Sequence, residues 1–271
     1  MKIHPTAIVG KRSSIAPSVE VGPYAIIEDD VKIEKDVKVY GHAYVCQGTE
    51  IGEGTQIHMG AVVGHLPQDI DFEGRKSFLK IGKRNIIREY VTIHRGTKED
   101  TYTQIGNDNF FMALSHVGHN CLIGDKITLA NGVLLAGYVQ VEDNVFISGN
   151  VLVHQFCRIG RLAMIGGYTG VNKDVPPYML VRGGSRIRSI NFIGLRRAGF
   201  TQEVIKEIKE AFRLIYRSDL NTNQALEKII ELVPGKEVMH LVDFIRASKR
   251  GICTHRIKAE EVEIMGEESA F

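Results

Sequence analysis

Taking every sixth residue from Ile3 to Val171 gives 29 positions, and 26 of them are Ile, Val, Leu or Phe. With 44% apolar residues overall, chance would supply about half of that number. A second frame lies two residues earlier. There Ser13, Val19, Ala25, Val31, Val37, Ala43, Thr49, Thr55, Ala61 and later Val133, Val139, Val145, Val151, Ala163 and Thr169 are small or β-branched. Two inward positions per hexad suit neither a helix of 3.6 residues per turn nor a hairpin alternation. They suit short strands joined by turns around a triangular prism, three hexads to a coil. Glycine often follows the aliphatic position, as in Val21-Gly22, Ile81-Gly82 and Ile123-Gly124, where a tight corner favours a residue without Cβ. The three off-frame residues, Asp69, Arg75 and Glu99, fall in segments 64–80 and 96–104, whose charge and irregularity predict loops.

The frame ends at Pro176-Pro177, and an Arg- and Gly-rich connector over 182–199 leads into helical patterns. One helix is predicted over about 201–217, with Thr201 as N-cap and Val204, Ile205, Ile208, Phe212 and Ile215 on one face. A second runs over about 222–233 and stops at Pro234-Gly235, and a third over about 236–249, with a charged, loose tail beyond Arg250. The expected organisation is a prism domain over 1–181 and a connector with a helical domain over 182–271. The helices would cap the last coil, which otherwise exposes unpaired backbone groups.

Composition narrows the function. Lys and Arg number 34 against 32 Asp and Glu, too even a balance for a nucleic-acid binder. Cys46, Cys121, Cys157 and Cys253 form no CxxC pair, which argues for a reducing compartment and against a zinc knuckle or disulfide framework. With no leader pattern before the first repeat and no uninterrupted apolar span, a cytoplasmic protein without a transmembrane segment is expected. The connector arginines Arg182, Arg186, Arg188, Arg196 and Arg197 suit an acidic partner or a diphosphate as well as plain solvent.

His94, His116, His119 and His154 occupy neither inward frame, which separates them from satisfied core histidines. Residues 18 apart stack on successive coils about 4.8 Å apart, so His119, Gly137 and Gln155 form one column. A base at His119 beside a free Gly137 N–H is a geometry for acyl transfer, in which a hydroxyl loses its proton and an oxyanion develops.

The segments Ile93-His94-Arg95-Gly96-Thr97, His116-Val117-Gly118-His119-Asn120-Cys121, Leu135-Ala136-Gly137, Val153-His154-Gln155-Phe156-Cys157, Asp174-Val175-Pro176-Pro177-Tyr178 and Gly194-Leu195-Arg196-Arg197 resemble the UDP-N-acetylglucosamine 3-O-acyltransferase family, over nearly the whole chain. The resemblance implies a mainly β fold, a left-handed parallel β-helix of hexapeptide repeats with an α-helical C-terminal domain; the left hand comes from the resemblance, not the spacing. It implies a homotrimer with sites between subunits, a UDP-amino-sugar acceptor, and a 3-hydroxyacyl donor on the phosphopantetheine of acyl carrier protein, with no metal and no further cofactor. Residue by residue, it makes His119 the general base and Gly137 the oxyanion donor. His94, His116, His154 and Gln155 would line the site, and Gln68 and Asp69 would reach the glucosamine unit. Asn191 and Arg197 would lie near nucleotide or donor, and Gly167 at the position limiting acyl length. Because Gly167 lies eight prism sides beyond His119, a groove joining the two is easier to build across two subunits.

Three departures from the family pattern stand out. Asn120, which the resemblance counts with the catalytic residues, replaces an aspartate after the catalytic histidine; Tyr138, counted with the substrate-binding residues, replaces a histidine after Gly137; and Asp71 replaces a lysine in the Gln68-Asp69 loop. An amide can accept a hydrogen bond but supplies no charge to imidazolium. Three other functions stay open on the sequence: an N-acyltransferase acting on a 3-amino or already acylated glucosamine, a metal hydratase of the γ-carbonic-anhydrase type using His116-x-x-His119, and a non-catalytic scaffold.

Overall fold

The structure is a computed structural model and describes residues 2–255. Of the tail predicted to be loose, residues 256–271 lie outside the described residues, whereas 251–255 are held: Ile252 bridges Asp174, Thr254 bridges Arg186, and Cys253 between them is buried. The hexad frame becomes a left-handed parallel β-helix. Two-residue strands such as Ile8–Val9, Ile26–Ile27 and Tyr44–Val45 stack into three faces of 11, 9 and 8 strands among the described residues, parallel throughout except for the last strand of the first face. Both inward frames form one continuous core, with Ile27, Ile57, Ile87, Leu129 and Ile147 fully buried on the aliphatic positions and Ala25, Ala61, Cys121 and Cys157 on the small ones. The cysteine thiols are therefore packing groups. Burial pushes that of Cys121 up to about 12, far from a thiolate at neutral pH.

The corners have two separate requirements. One residue per hexad is left-handed, and it is seldom glycine: Tyr24, Asp30, Asp36, His42, Asn120, Lys126, Tyr138, Asn144 and Asn150 all lie at φ between 54° and 60°. The glycines after the aliphatic positions answer a different need, close approach to the next coil. A Cβ on Gly22 would lie 2.6 Å from Gly41 N, and one on Gly82 2.5 Å from Gly106 O.

Coil length changes beside the off-frame residues. On the second face Tyr44 pairs with Val62, and His116 with Leu134, both at the 18-residue interval. Between them Val62 pairs with Thr92 and Thr92 with His116, intervals of 30 and 24 residues. Two coils thus carry insertions of two hexads and one hexad, matching the two predicted loops. The insertions leave core register intact and project chain over the second face.

At the C-terminal end the parallel strand Met179–Val181 turns back as an antiparallel hairpin with Ile187–Ile190. A short helix α1 (Phe192–Arg197) follows, then α2 (Gln202–Tyr216), α3 (Thr222–Leu232) and α4 (Lys236–Arg246). The last three agree with the periodicity reading, and Thr201 does cap α2 by accepting from Val204 N–H. The hairpin's second strand and α1 fall where only a connector is predicted, because a four-residue strand and a six-residue helix are too short to show a periodicity.

The helices are tied to the prism by polar contacts as well as by Leu241, Val242 and Ile245. Tyr178 Oη donates to Glu237 at 2.6 Å, Arg161 meets the same carboxylate at 3.0 Å, and His240 Nε2 lies 2.8 Å from Glu142. The Glu142 bond and charge raise the His240 pKa above its ordinary 6.5 despite burial. Burial pushes Glu142 up, but His240 and the Arg161 N–H outweigh it and leave its pKa below 4.5. The histidine's contribution is full below 6.5 and disappears as pH rises through its raised value; the carboxylate's is full above 4.5 and disappears as pH falls through its lowered value. His240→Gln is therefore expected to lower Tm most between about pH 4.5 and 6.5, with the difference shrinking toward pH 8. Thermal melts across pH check this; a difference that grows steadily with pH would contradict it.

Candidate active site

The second face and its following corner carry a cleft of about 620 Å³. Its walls rise coil by coil: His116, Leu134, Leu152 and Gly170 along the strand column, His119, Gly137 and Gln155 along the corner, with His94 and Gln68 closing the lower end. The first insertion delivers Gln68 and Asp69. Gln68 N–H donates to His94 Nδ1 at 3.3 Å, and an Asp69 carboxylate oxygen lies 4.0 Å from His119 Nε2.

His119 and Gly137 sit one coil apart on the same corner. A Cβ on Gly137 would lie 2.4 Å from both His119 Cε1 and Nε2, so only glycine lets the imidazole rest there. The Gly137 N–H finds no acceptor among the described residues, since its neighbours Ala136 and Tyr138 spend theirs on Val153 O and His119 O. Its counterpart at Gln155 is free as well, so an open N–H is a property of this corner. What distinguishes Gly137 is the basic nitrogen beside it.

His119 is largely covered, with 13% of its side chain exposed, and its Nδ1 faces Asn120 Oδ1 at 3.1 Å. Thr97 donates to the same oxygen from its backbone N–H and its hydroxyl, at 3.0 and 2.9 Å. Tyr138 stands edge-on to the His119 ring, 5.2 Å between centroids, and stacks on Phe156. It is a wall behind the imidazole, not part of the cleft lining, so the substrate contact expected of it is not made in this chain. Burial, then the neighbouring His116, His65 and His119, push the His94 pKa down to about 4; burial and His119 also lower that of His116. Both are neutral near pH 7 and able to give or take single hydrogen bonds. His116 Nδ1 already pairs with Thr92 Oγ at 2.7 Å.

Of the remaining sequence candidates, one lines the cleft and three lie elsewhere in the single chain. His154 is exposed on the cleft's upper wall. Gly167 occupies the opposite corner of the second face, against Gly149 and Ser148. Asn191 is buried as the N-cap of α1, accepting from Gly194 N–H and donating to Leu162 O, and Arg197 is exposed at that helix's end. None of these last three lines the cleft. Sequence reasoning passed over Leu134, Leu152, Gly170 and Thr97. The first three were accessible, since they follow His116 at the coil interval; Thr97 comes from an insertion, where the interval fails.

A parallel β-helix with a corner histidine packed on a glycine whose N–H is open, and a cleft beside it, fits the class of hexapeptide-repeat acyltransferases. Comparisons with known proteins narrow this further. Residues 174–253 match the family model described as UDP N-acetylglucosamine O-acyltransferase, domain 2. The acyl-[acyl-carrier-protein]–UDP-N-acetylglucosamine O-acyltransferase of Thermodesulfovibrio yellowstonii is 44% identical over 255 residues, covering 93% of this chain and 99% of the relative. That of Gloeothece citriformis is 52% identical over 201 residues, 74% of this chain and 73% of the relative. The crystal structure of the UDP-N-acetylglucosamine acyltransferase from Bacteroides fragilis superposes with a TM-score of 0.90 at 43% identity, covering 92% of this chain and 99% of that one. The chain belongs to the acyl-[acyl-carrier-protein]–UDP-N-acetylglucosamine O-acyltransferase family and is an acyltransferase. This answers both the hydratase and the scaffold readings.

Proposed function

We propose that the chain transfers a 3-hydroxyacyl group from acyl carrier protein to the 3-position of a UDP-N-acetylglucosamine-type sugar, the first step of lipid A biosynthesis, with His119 as general base. The observation that carries the chemical part is His119 Nε2 lying where a Cβ on Gly137 would stand, beside a backbone N–H that is open. His119 Nε2 removes the proton from the sugar 3-hydroxyl as its oxygen attacks the thioester carbonyl. The new C–O bond leaves a tetrahedral oxyanion, which the Gly137 N–H receives. Collapse breaks the C–S bond, and the imidazolium returns its proton to the departing thiolate, giving ester and carrier thiol.

Gln68 and Asp69 hold the sugar at the lower end, and His94, His116, His154 and Gln155 line the path of acceptor and donor. The acyl chain runs up the column of Leu134, Leu152 and Gly170, three coils or about 14 Å from the level of His116. Those leucines are 43% and 54% exposed in one chain, which leaves the cleft with one wall missing. A second copy in a homotrimer supplies it, and brings its own Gly167, Asn191 and Arg197 toward the site. Among the described residues no helix is long and apolar enough to cross a membrane; a carrier-protein donor and a nucleotide-sugar acceptor support a reaction in the cytoplasm.

Incubation with UDP-N-acetylglucosamine, its 3-amino analogue and a panel of 3-hydroxyacyl carrier proteins, read by mass spectrometry, tests the assignment. The expected product is the 3-O-ester. Exclusive acylation of the amine would instead assign N-acyl transfer, and no product with any pair would end the proposal.

A further inference from the structure

The base reading leaves one question that the side chains around His119 answer: what aims the imidazole when no carboxylate follows it. Asn120 has two ends, one accepting and one donating, and which end faces His119 decides where the imidazole proton sits. The Thr97 backbone N–H can only donate. Its 3.0 Å contact therefore identifies the facing Asn120 atom as the carbonyl oxygen, and the Thr97 hydroxyl reaches the same atom at 2.9 Å. Three donors then converge on Asn120 Oδ1, the third being His119 Nδ1 at 3.1 Å, and the amide NH2, itself a donor, cannot take its place. Nδ1 carries the ring proton. Nε2, the nitrogen over Gly137, keeps the lone pair that removes a proton from substrate.

Thr97 is itself held. Its side chain is buried, 8% exposed, so water competes little for these bonds. Tyr138 Oη lies 3.1 Å from Thr97 Oγ; with the threonine hydroxyl committed to Asn120, the phenol donates. The same phenol ring stands perpendicular to His119 at 89° and limits its swing. The threonine reaches this place because the six-residue insertion between Thr92 and His116 carries the chain across the corner. We propose that Thr97 is a positioning residue for the acyl transfer, fixing the tautomer and aim of His119 through Asn120. This rests on His119 being the base, as proposed above.

The test is kinetic, with wild type and His119→Ala measured first so that failure of the base reading shows separately. Thr97→Val keeps the backbone donor and removes the hydroxyl. It is expected to lower kcat about tenfold, the worth of one buried hydrogen bond, with the KM for nucleotide sugar within about twofold. Thr97→Ser restores kcat. In an Asn120→Ala background Thr97→Val costs nothing further, because the route to His119 is already cut. Asn120→Asp keeps the oxygen and adds charge, so it moves the acidic limb of the kcat/KM profile to higher pH by about one unit. Wild-type kcat in folded Thr97→Val, or a Thr97→Val loss that persists undiminished on Asn120→Ala, would overturn the positioning role. So would a loss that Thr97→Ser does not restore.

Discussion

His119→Ala is expected to lower kcat for acyl transfer by about 10³-fold or more, with the KM for nucleotide sugar changed far less. The size follows from losing the group that removes the hydroxyl proton and later returns it to the thiolate. The fold has no reason to suffer, since His119 is partly exposed on a corner and its ring packs on Gly137 and Tyr138, outside the prism core. Steady-state kinetics beside a thermal melt check both halves. Near-normal turnover in the folded variant would remove His119 from the chemistry.

Gly137→Ala is expected to cost about 100-fold in kcat while melting close to wild type. The added methyl lies 2.4 Å from His119 Cε1 and Nε2 and 3.1 Å from Cδ2, and the three nearest atoms it meets all belong to that one ring. Gly137 does not have a left-handed φ, so alanine brings no backbone strain. The imidazole must move, and an ångström of displacement at a reacting nitrogen suffices for this loss. On a His119→Ala background the same methyl loses its three nearest neighbours and should be nearly silent, which a double-mutant cycle measures. A cost that is the same in both backgrounds would mean that the methyl acts on substrate instead.

How much of this was legible beforehand depends on whether a feature repeats. The aliphatic frame showed the core, the coil interval and the His119–Gly137 column, because each is set by a local rule applied over and over. Asp69, Arg75 and Glu99 even marked the inserted hexads, since an inserted hexad keeps register while losing its inward residue. The contacts made by the insertions were not legible. Neither Asp69 at 4.0 Å from His119 nor Thr97 on Asn120 follows from any period, because a loop's path depends on the surface it crosses. The departure at Asn120 was visible as a lost charge; that a threonine holds its oxygen toward the base was not. Asn191 illustrates the opposite case, a residue carried over from the family as a ligand neighbour whose side chain in this chain caps α1 and pins Leu162 O.

The most direct test of the account is a crystal structure of the protein with its acylated sugar product bound. The account predicts the ester oxygen at the sugar 3-position within hydrogen-bond reach of His119 Nε2, and the acyl carbonyl oxygen turned toward the Gly137 N–H. It also places the first methylenes of the chain on Leu134. A product seated with its ester away from that corner, or with His119 Nε2 turned into a contact with protein alone, would contradict it.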